Sequence, residues 1–178
     1  MREVFLGDSY DLVKRFWRES LDSIGPLYAH PRFIPLSIRK QFTAVTTIPI
    51  LGTLPKGHFG ILLDPDTGVP LPSKQAVRRT AKHAPLTFIV GLNVEMRPDY
   101  LICFDQSYHR LHELDRKQQR AEKGKFLAQK GLSSFYYVSH APFLFVASQP
   151  LILRNILDRL VSLGIPKDRL ELPDLLAA

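Results

Sequence analysis

Four aspartates in this 178-residue chain stand where short apolar runs end, and an acidic oxygen at the end of a strand is a group that can do chemistry. Asp8 follows Val4, Phe5 and Leu6. Asp64 and Asp66 follow the run 59–63, and Asp105 follows 100–104. Open parallel α/β sheets bind ligands beyond the carboxyl ends of their strands. Carboxylates gathered there repel one another unless a cation compensates them, and an oxygen-rich set suits Mg²⁺ or Mn²⁺. Asp8, Asp64, Asp66 and Asp105 are therefore the candidate metal ligands. Each also has a local role open to it. Asp8 and Asp105 are placed to cap a following helix, and the sequence Asp64, Pro65, Asp66, Thr67, Gly68 has the composition of a turn.

A second group is Ser139 and His140, delivered by the apolar run 135–138 directly into Ala141 and Pro142. A polar pair between two apolar segments needs partners if it is buried. The imidazole is a candidate general acid or base, or a phosphate ligand; the alternative is a hydrogen-bonded turn. Ser139, His140 and Asp8 form the candidate catalytic set. The segment 105–110 is also dense in polar function, and His109 and Arg110 are expected one turn into a helix, where they could hold an anion. Arg116, Arg120 and Lys123 recur at i, i+4 and i+7, one stripe on a helix face. Such a stripe contacts phosphates or is simply solvated, and Glu113 and Glu122 interrupt it.

The net charge is +7, concentrated in two central segments that each carry a net +4, residues 74–83 and 110–130. That balance favours nucleic acid or a phosphorylated small molecule as partner. The longest apolar runs are too short to cross a bilayer, the start of the chain does not read as a secretory signal, and a cytoplasmic location is expected. Cys103, the only cysteine, lies inside an apolar run and reads as a buried core residue.

The elements that must position these groups follow from periodicity. Strands are expected near 3–6, 59–63, 87–91, 100–104 and 135–138, with 141–147 a loop or sixth strand. Helices are expected near 9–23, 107–130 and 149–163, with shorter ones over 36–44 and 74–83. In the first helix Leu12, Val13, Phe16, Trp17, Leu21 and Ile24 form the apolar face, and Lys14, Arg18 and Asp22 the polar one. The alternation predicts one Rossmann-like three-layer α/β domain over 1–178, with a mainly parallel sheet of about five strands.

Two resemblances touch single blocks of the sequence. Gly7, Asp8 and Ser9 after an apolar run resemble the first block of the GDS-type esterases, in which the serine is the nucleophile, and Gly91, Leu92, Asn93 is similar to their Gly-x-Asn block. Their Asp-x-x-His block is absent here, because the last histidine is His140 and position 137 is Tyr137. The strand-end carboxylates resemble loosely those of PIN-type and other Rossmann-like metal nucleases.

The reading these features favour is a metal-assisted hydrolase acting on a phosphodiester or nucleotide. The aspartates would hold the ion, His140 would move the proton, and His109, Arg110, Arg116, Arg120 and Lys123 would receive phosphates. The alternatives are a non-catalytic nucleic-acid-binding module and a metal-free esterase using Ser9.

Overall fold

The computed structural model describes residues 6–74, 82–109 and 113–172. The expected first strand (its residues 3–5), Arg78 and Arg79 of the first basic segment, and Arg110 lie outside the described residues. Within them the chain runs α1 (Ser9–Ser20), β1 (Leu27–Ala29), α2 (Arg39–Thr46), β2 (Gly60–Leu63), α3 (Leu86–Met96), β3 (Tyr100–Phe104), α4 (Arg116–Gln129), β4 (Ser133–Tyr137), β5 (Phe143–Ala147), α5 (Pro150–Ser162) and β6 (Leu170–Glu171).

The six strands form one sheet in the order β1-β2-β3-β5-β4-β6. β1 with β2 and β2 with β3 are parallel; β3 with β5, β5 with β4 and β4 with β6 are antiparallel. The sheet is thus mixed, not mainly parallel. The reason is the short connection 138–142, which can join two strands only as an antiparallel hairpin. β5, half-hidden in the sequence as 141–147, returns between β3 and β4. Because β4 is antiparallel to β5, which is antiparallel to β3, β1 through β4 all point the same way. Their carboxyl ends share one edge.

Alternation along the central strands sorts the core into two layers. Leu62, Ile102, Phe143 and Phe145 face Trp17 and Leu21 of the α1 region, Phe42 of α2, and Leu153, Ile156 and Leu160 of α5. Ile61, Leu63, Leu101, Cys103, Leu144 and Val146 face Ile89 and Leu92 of α3 and Leu127 of α4. This three-layer arrangement buries Cys103, as the sequence reading expects. Burial foremost, then the fields of Asp105 and Asp64, push its thiol up, so it stays neutral.

The expected strand at 87–91 is the middle of α3. The run 86–92 is apolar on every side, so periodicity alone does not separate a strand from a buried helix. Extended Pro85 (ψ 146) starts the helix, and Leu86, Ile89 and Leu92 are its buried positions. α4 begins at Arg116, later than expected. Asp115 and Gln118 form a reciprocal capping box there, each side chain bonding the other's backbone N–H. β1 and β6 are too short to leave a pattern in the sequence.

α1 and the turn after it bring most of the expected apolar face to the core, with Trp17 and Leu21 buried and Val13, Phe16 and Ile24 packed against it, but Leu12 lies outside and Lys14, expected on the polar face, is buried. Asp11, Lys14 and Trp17 are its inward stripe; Lys14 is 4% exposed whereas Leu12 is 61% exposed. Trp17 sits edge-on to Tyr137, Phe143 and Phe145 with ring centroids 5.0, 5.8 and 5.3 Å away, and this cluster fixes the rotation of the helix. Lys14 goes inward because two carboxylates wait for it. We expect Trp17→Ala to lower unfolding free energy by about 3–5 kcal/mol. Leu12→Ala should change it by less than about 0.5 kcal/mol. Urea denaturation of both variants measures the difference; comparable losses would mean the helix is rotated otherwise.

Candidate functional site

The shared edge places His30 after β1, Asp64 after β2, Asp105 after β3, and Ser139 and His140 beyond β4. Strand alternation then sends the two aspartates to opposite sides of the sheet, and a lysine meets each one. On the α1 side, Lys14 Nζ donates to Asp64 Oδ2 and to Asp11 Oδ1, both at 2.8 Å, while Asp11 Oδ2 accepts from the Gly7 amide at 2.7 Å. Burial is the largest influence on Lys14 and works against its charge. The fields of Asp64 and Asp11 and their hydrogen bonds together outweigh it, and the ammonium is held above its ordinary range.

On the α4 side Asp105 is the centre of a denser network. Its Oδ2 accepts from Lys123 Nζ at 2.6 Å and Tyr136 Oη at 2.8 Å. Its Oδ1 accepts from the amides of Val69 at 2.8 Å and Ser107 at 3.0 Å, with Ser107 Oγ at 2.7 Å. Lys123, 1% exposed, also donates to Ser107 Oγ at 2.9 Å. Tyr136 is pushed well up, by burial first and then by Asp105, so its hydroxyl keeps its proton and remains a donor. Gly68 closes against this network with φ +106. A Cβ there would stand 2.4 Å from Asp105 Oδ1 and 2.7 Å from Asp105 Cα, so only glycine fits.

Beside this network lies a cavity of about 260 Å³. One wall is Asp66, Thr67, Pro70 and Leu71; the other is Gln106, Ser107, Tyr108 and His109, with Gln119 reaching in from α4. Gln119 clasps the second wall. Its Oε1 accepts from the His109 amide at 3.0 Å, and its Nε2 donates to the carbonyls of His109 at 3.1 Å and Leu114 at 2.8 Å. Thr67 ties the first wall to the chain beyond it, through the Lys82 carbonyl at 2.7 Å and His83 Nδ1 at 2.6 Å.

The candidate residues therefore separate. Asp8 caps α1, accepting from the amides of Tyr10 at 2.9 Å and Asp11 at 3.2 Å; Ser9 is the first residue of that helix. Asp64 and Asp105 are in lysine ion pairs. Asp66 and His109 line the cavity. Ser139 organises its own turn, its Oγ accepting from the Ala141 amide at 3.0 Å and donating to the Ala141 carbonyl at 3.1 Å. His140 is exposed, its ring 5.5 Å from that of Tyr10. Among the described residues no group of three or more His, Cys, Asp or Glu is placed to hold a metal ion. The Gly91, Leu92, Asn93 block lies within α3, not at a strand end.

The basic stripe is not one solvated face. Lys123 turns inward to Asp105. Arg120 grips Glu171 of β6 with two hydrogen bonds of 2.7 Å, and the Glu171 hydrogen bond is the main reason its guanidinium is held above the ordinary range. Arg116 covers the Tyr108 ring at 4.8 Å.

Sequence reasoning missed Lys14, Gln119, Tyr136 and His30. Only Lys14 had a signal, its i, i+3 spacing after Asp11 and before Trp17. His30 sits against the rings of Phe33 and Phe88, and its Nδ1 accepts from the Arg32 amide at 3.2 Å. Burial first, then the nearby Arg32 charge, lowers it to about 4.

Compared with protein-family models, characterised proteins and solved structures, the chain matches none.

Removing one partner of a buried ion pair strands the other charge. Lys123→Met and Asp105→Asn should therefore each lower stability by about 3–5 kcal/mol. The double variant should lose clearly less than the two single losses together, a coupling that chemical denaturation of all four proteins would reveal; strict additivity would contradict the pair. The histidine gives a pH dependence. His30 binds its proton more weakly folded than unfolded, so its contribution is fully present above about pH 6.5 and is lost as pH falls towards 4. His30→Gln should flatten that limb of the stability profile, and an unchanged slope between pH 6.5 and 4 would rule the assignment out.

Proposed function

We propose that the protein binds a nucleotide at this sheet edge and hydrolyses a phosphoester of it with the help of Mg²⁺ or Mn²⁺. The observation that carries the reading is the cavity beside the Asp105–Lys123 pair, whose wall combines one aromatic ring with amides, hydroxyls, an imidazole and a carboxylate. A pocket with an apolar or aromatic wall and a few converging polar groups is the usual form of a small-ligand site. Tyr108 is 37% exposed and is backed by the Arg116 guanidinium, which suits stacking of a flat heterocycle.

Among the described residues lining the cavity there is no lysine or arginine. In this reading the Tyr108 ring receives the nucleobase. Mg²⁺ is commonly held by one or two carboxylates together with the substrate's own phosphates. Asp66, the carboxylate on the wall, would be the residue to hold such an ion together with the phosphates, and the ion would supply Lewis-acid polarisation of a phosphoryl oxygen. His109, which lines the cavity, would be the imidazole to move the proton in this reading. The nucleic-acid-binding alternative leans on the basic stripe, two of whose members are committed to Glu171 and Asp105.

Calorimetric titration with nucleoside monophosphates and triphosphates, with and without Mg²⁺, tests the reading. Tyr108→Ala should weaken binding roughly fivefold to a hundredfold, the worth of one stacked base. His109→Gln should lower phosphoester turnover by about a hundredfold or more with little change in affinity. Absence of nucleotide binding at millimolar concentration would overturn it.

A further inference from the structure

We infer that the ligand at this edge is a single-stranded oligonucleotide, the nucleobase next to the one at Tyr108 stacking on His140. The inference rests on the nucleotide reading and adds the substrate class, a phosphodiester joining two nucleosides. Two observations carry it: a second aromatic pair beside the cavity, and the charge of the cavity's own lining.

Gln106 and Tyr108 flank Ser107 in the loop after β3. The Ser107 hydroxyl is turned inward, to Asp105 Oδ1 at 2.7 Å and Lys123 Nζ at 2.9 Å, whereas Gln106 and Tyr108 are both exposed. Two residues of chain reach at most about 7 Å, so Gln106 starts close to Tyr108. Its side chain then leads to a second pair of rings. Nε2 of Gln106 donates to Tyr10 Oη at 2.7 Å and to the His140 carbonyl at 3.2 Å. There the His140 ring lies against Tyr10, centroids 5.5 Å apart and planes 34° apart. Tyr10 in turn stands edge-on to buried Phe104, also at 5.5 Å. His140 is still exposed. It is a surface ring backed by two others, on a turn that Ser139 closes with two hydrogen bonds to Ala141. Splayed bases of single strands stack on such aromatic side chains, histidine among them.

The lining suits a diester better than a terminal phosphate. Among the described residues it holds one carboxylate, Asp66, and no lysine or arginine. A phosphate monoester carries about −1.5 to −2 charges at neutral pH. It would set that charge against Asp66 with no basic side chain on the wall to meet it. A phosphodiester carries a single negative charge, and stacking of the bases on both sides of it supplies affinity that the wall does not.

Isothermal titration of the full chain with adenosine monophosphate and with the dinucleotide adenylyl-adenosine, each with and without Mg²⁺, decides the matter. The dinucleotide should bind roughly fivefold to a hundredfold more tightly, the worth of one further stacked base. His140→Ala should bring it to within about threefold of the monophosphate, and His140→Phe, which keeps a ring, should preserve the preference. The comparison on the unaltered protein stands whether or not those variants fold. Affinities within about threefold of each other in the unaltered protein, or a preference that His140→Ala leaves intact, would overturn the inference and leave the nucleotide reading in place. Binding of neither ligand would overturn both.

Discussion

The carboxylate of Asp105 accepts from five groups that come from four separate stretches of chain: the amide of Val69, the amide and hydroxyl of Ser107, the ammonium of Lys123 and the phenol of Tyr136. A carboxylate taken out of water is strongly unfavourable unless its charge is met and its lone pairs are filled. Here both conditions hold only when the loop after β2, the loop after β3, α4 and β4 are all in place. Those two loops are the two walls of the cavity. The site is held by a buried charge that cannot tolerate either wall moving away, and Gly68 exists at its position because the approach is so close.

The same logic operates on the opposite side of the sheet and explains how a protein of net charge +7 uses part of its positive charge. Lys14 is drawn inward between Asp11 and Asp64, and Lys123 towards Asp105, so two lysines serve as internal counter-ions to strand-end acids. Arg120 ties α4 to β6 through Glu171, which fastens the last strand onto the edge of the sheet. Charges that look in the sequence like a surface for phosphate are in part structural, and the cavity beside the Asp105–Lys123 pair is lined by amides, hydroxyls, an imidazole and one carboxylate.

The sequence made the α/β class and most central elements legible. β2, β3, β4, α1 and α5 lie where periodicity puts them, because each has a pattern long enough to read. α3 was illegible as a helix because 86–92 is apolar all round, and the hairpin after β4 because an apolar run does not state the direction in which it pairs. The strand-end aspartates could be found, since strand ends are visible. Their partners could not. Lys14 and Lys123 lie on helices whose rotation is set by Trp17 and by the core beneath α4, and beyond the i, i+3 spacing of Lys14 after Asp11 nothing in the sequence marks either lysine as facing inward. Gln119 was invisible for the same reason, its role being defined entirely by the backbone of His109 and Leu114.

Amide hydrogen exchange at Val69 and Ser107, measured in the unaltered protein and in Asp105→Asn, addresses the central claim directly. If one buried carboxylate holds both walls, the two amides exchange as slowly as the core of β3 in the unaltered protein and accelerate together in the variant, while the amides of β2 and β5 keep their protection. Amides that already exchange fast, or that keep their protection after Asp105 is replaced, would contradict the account.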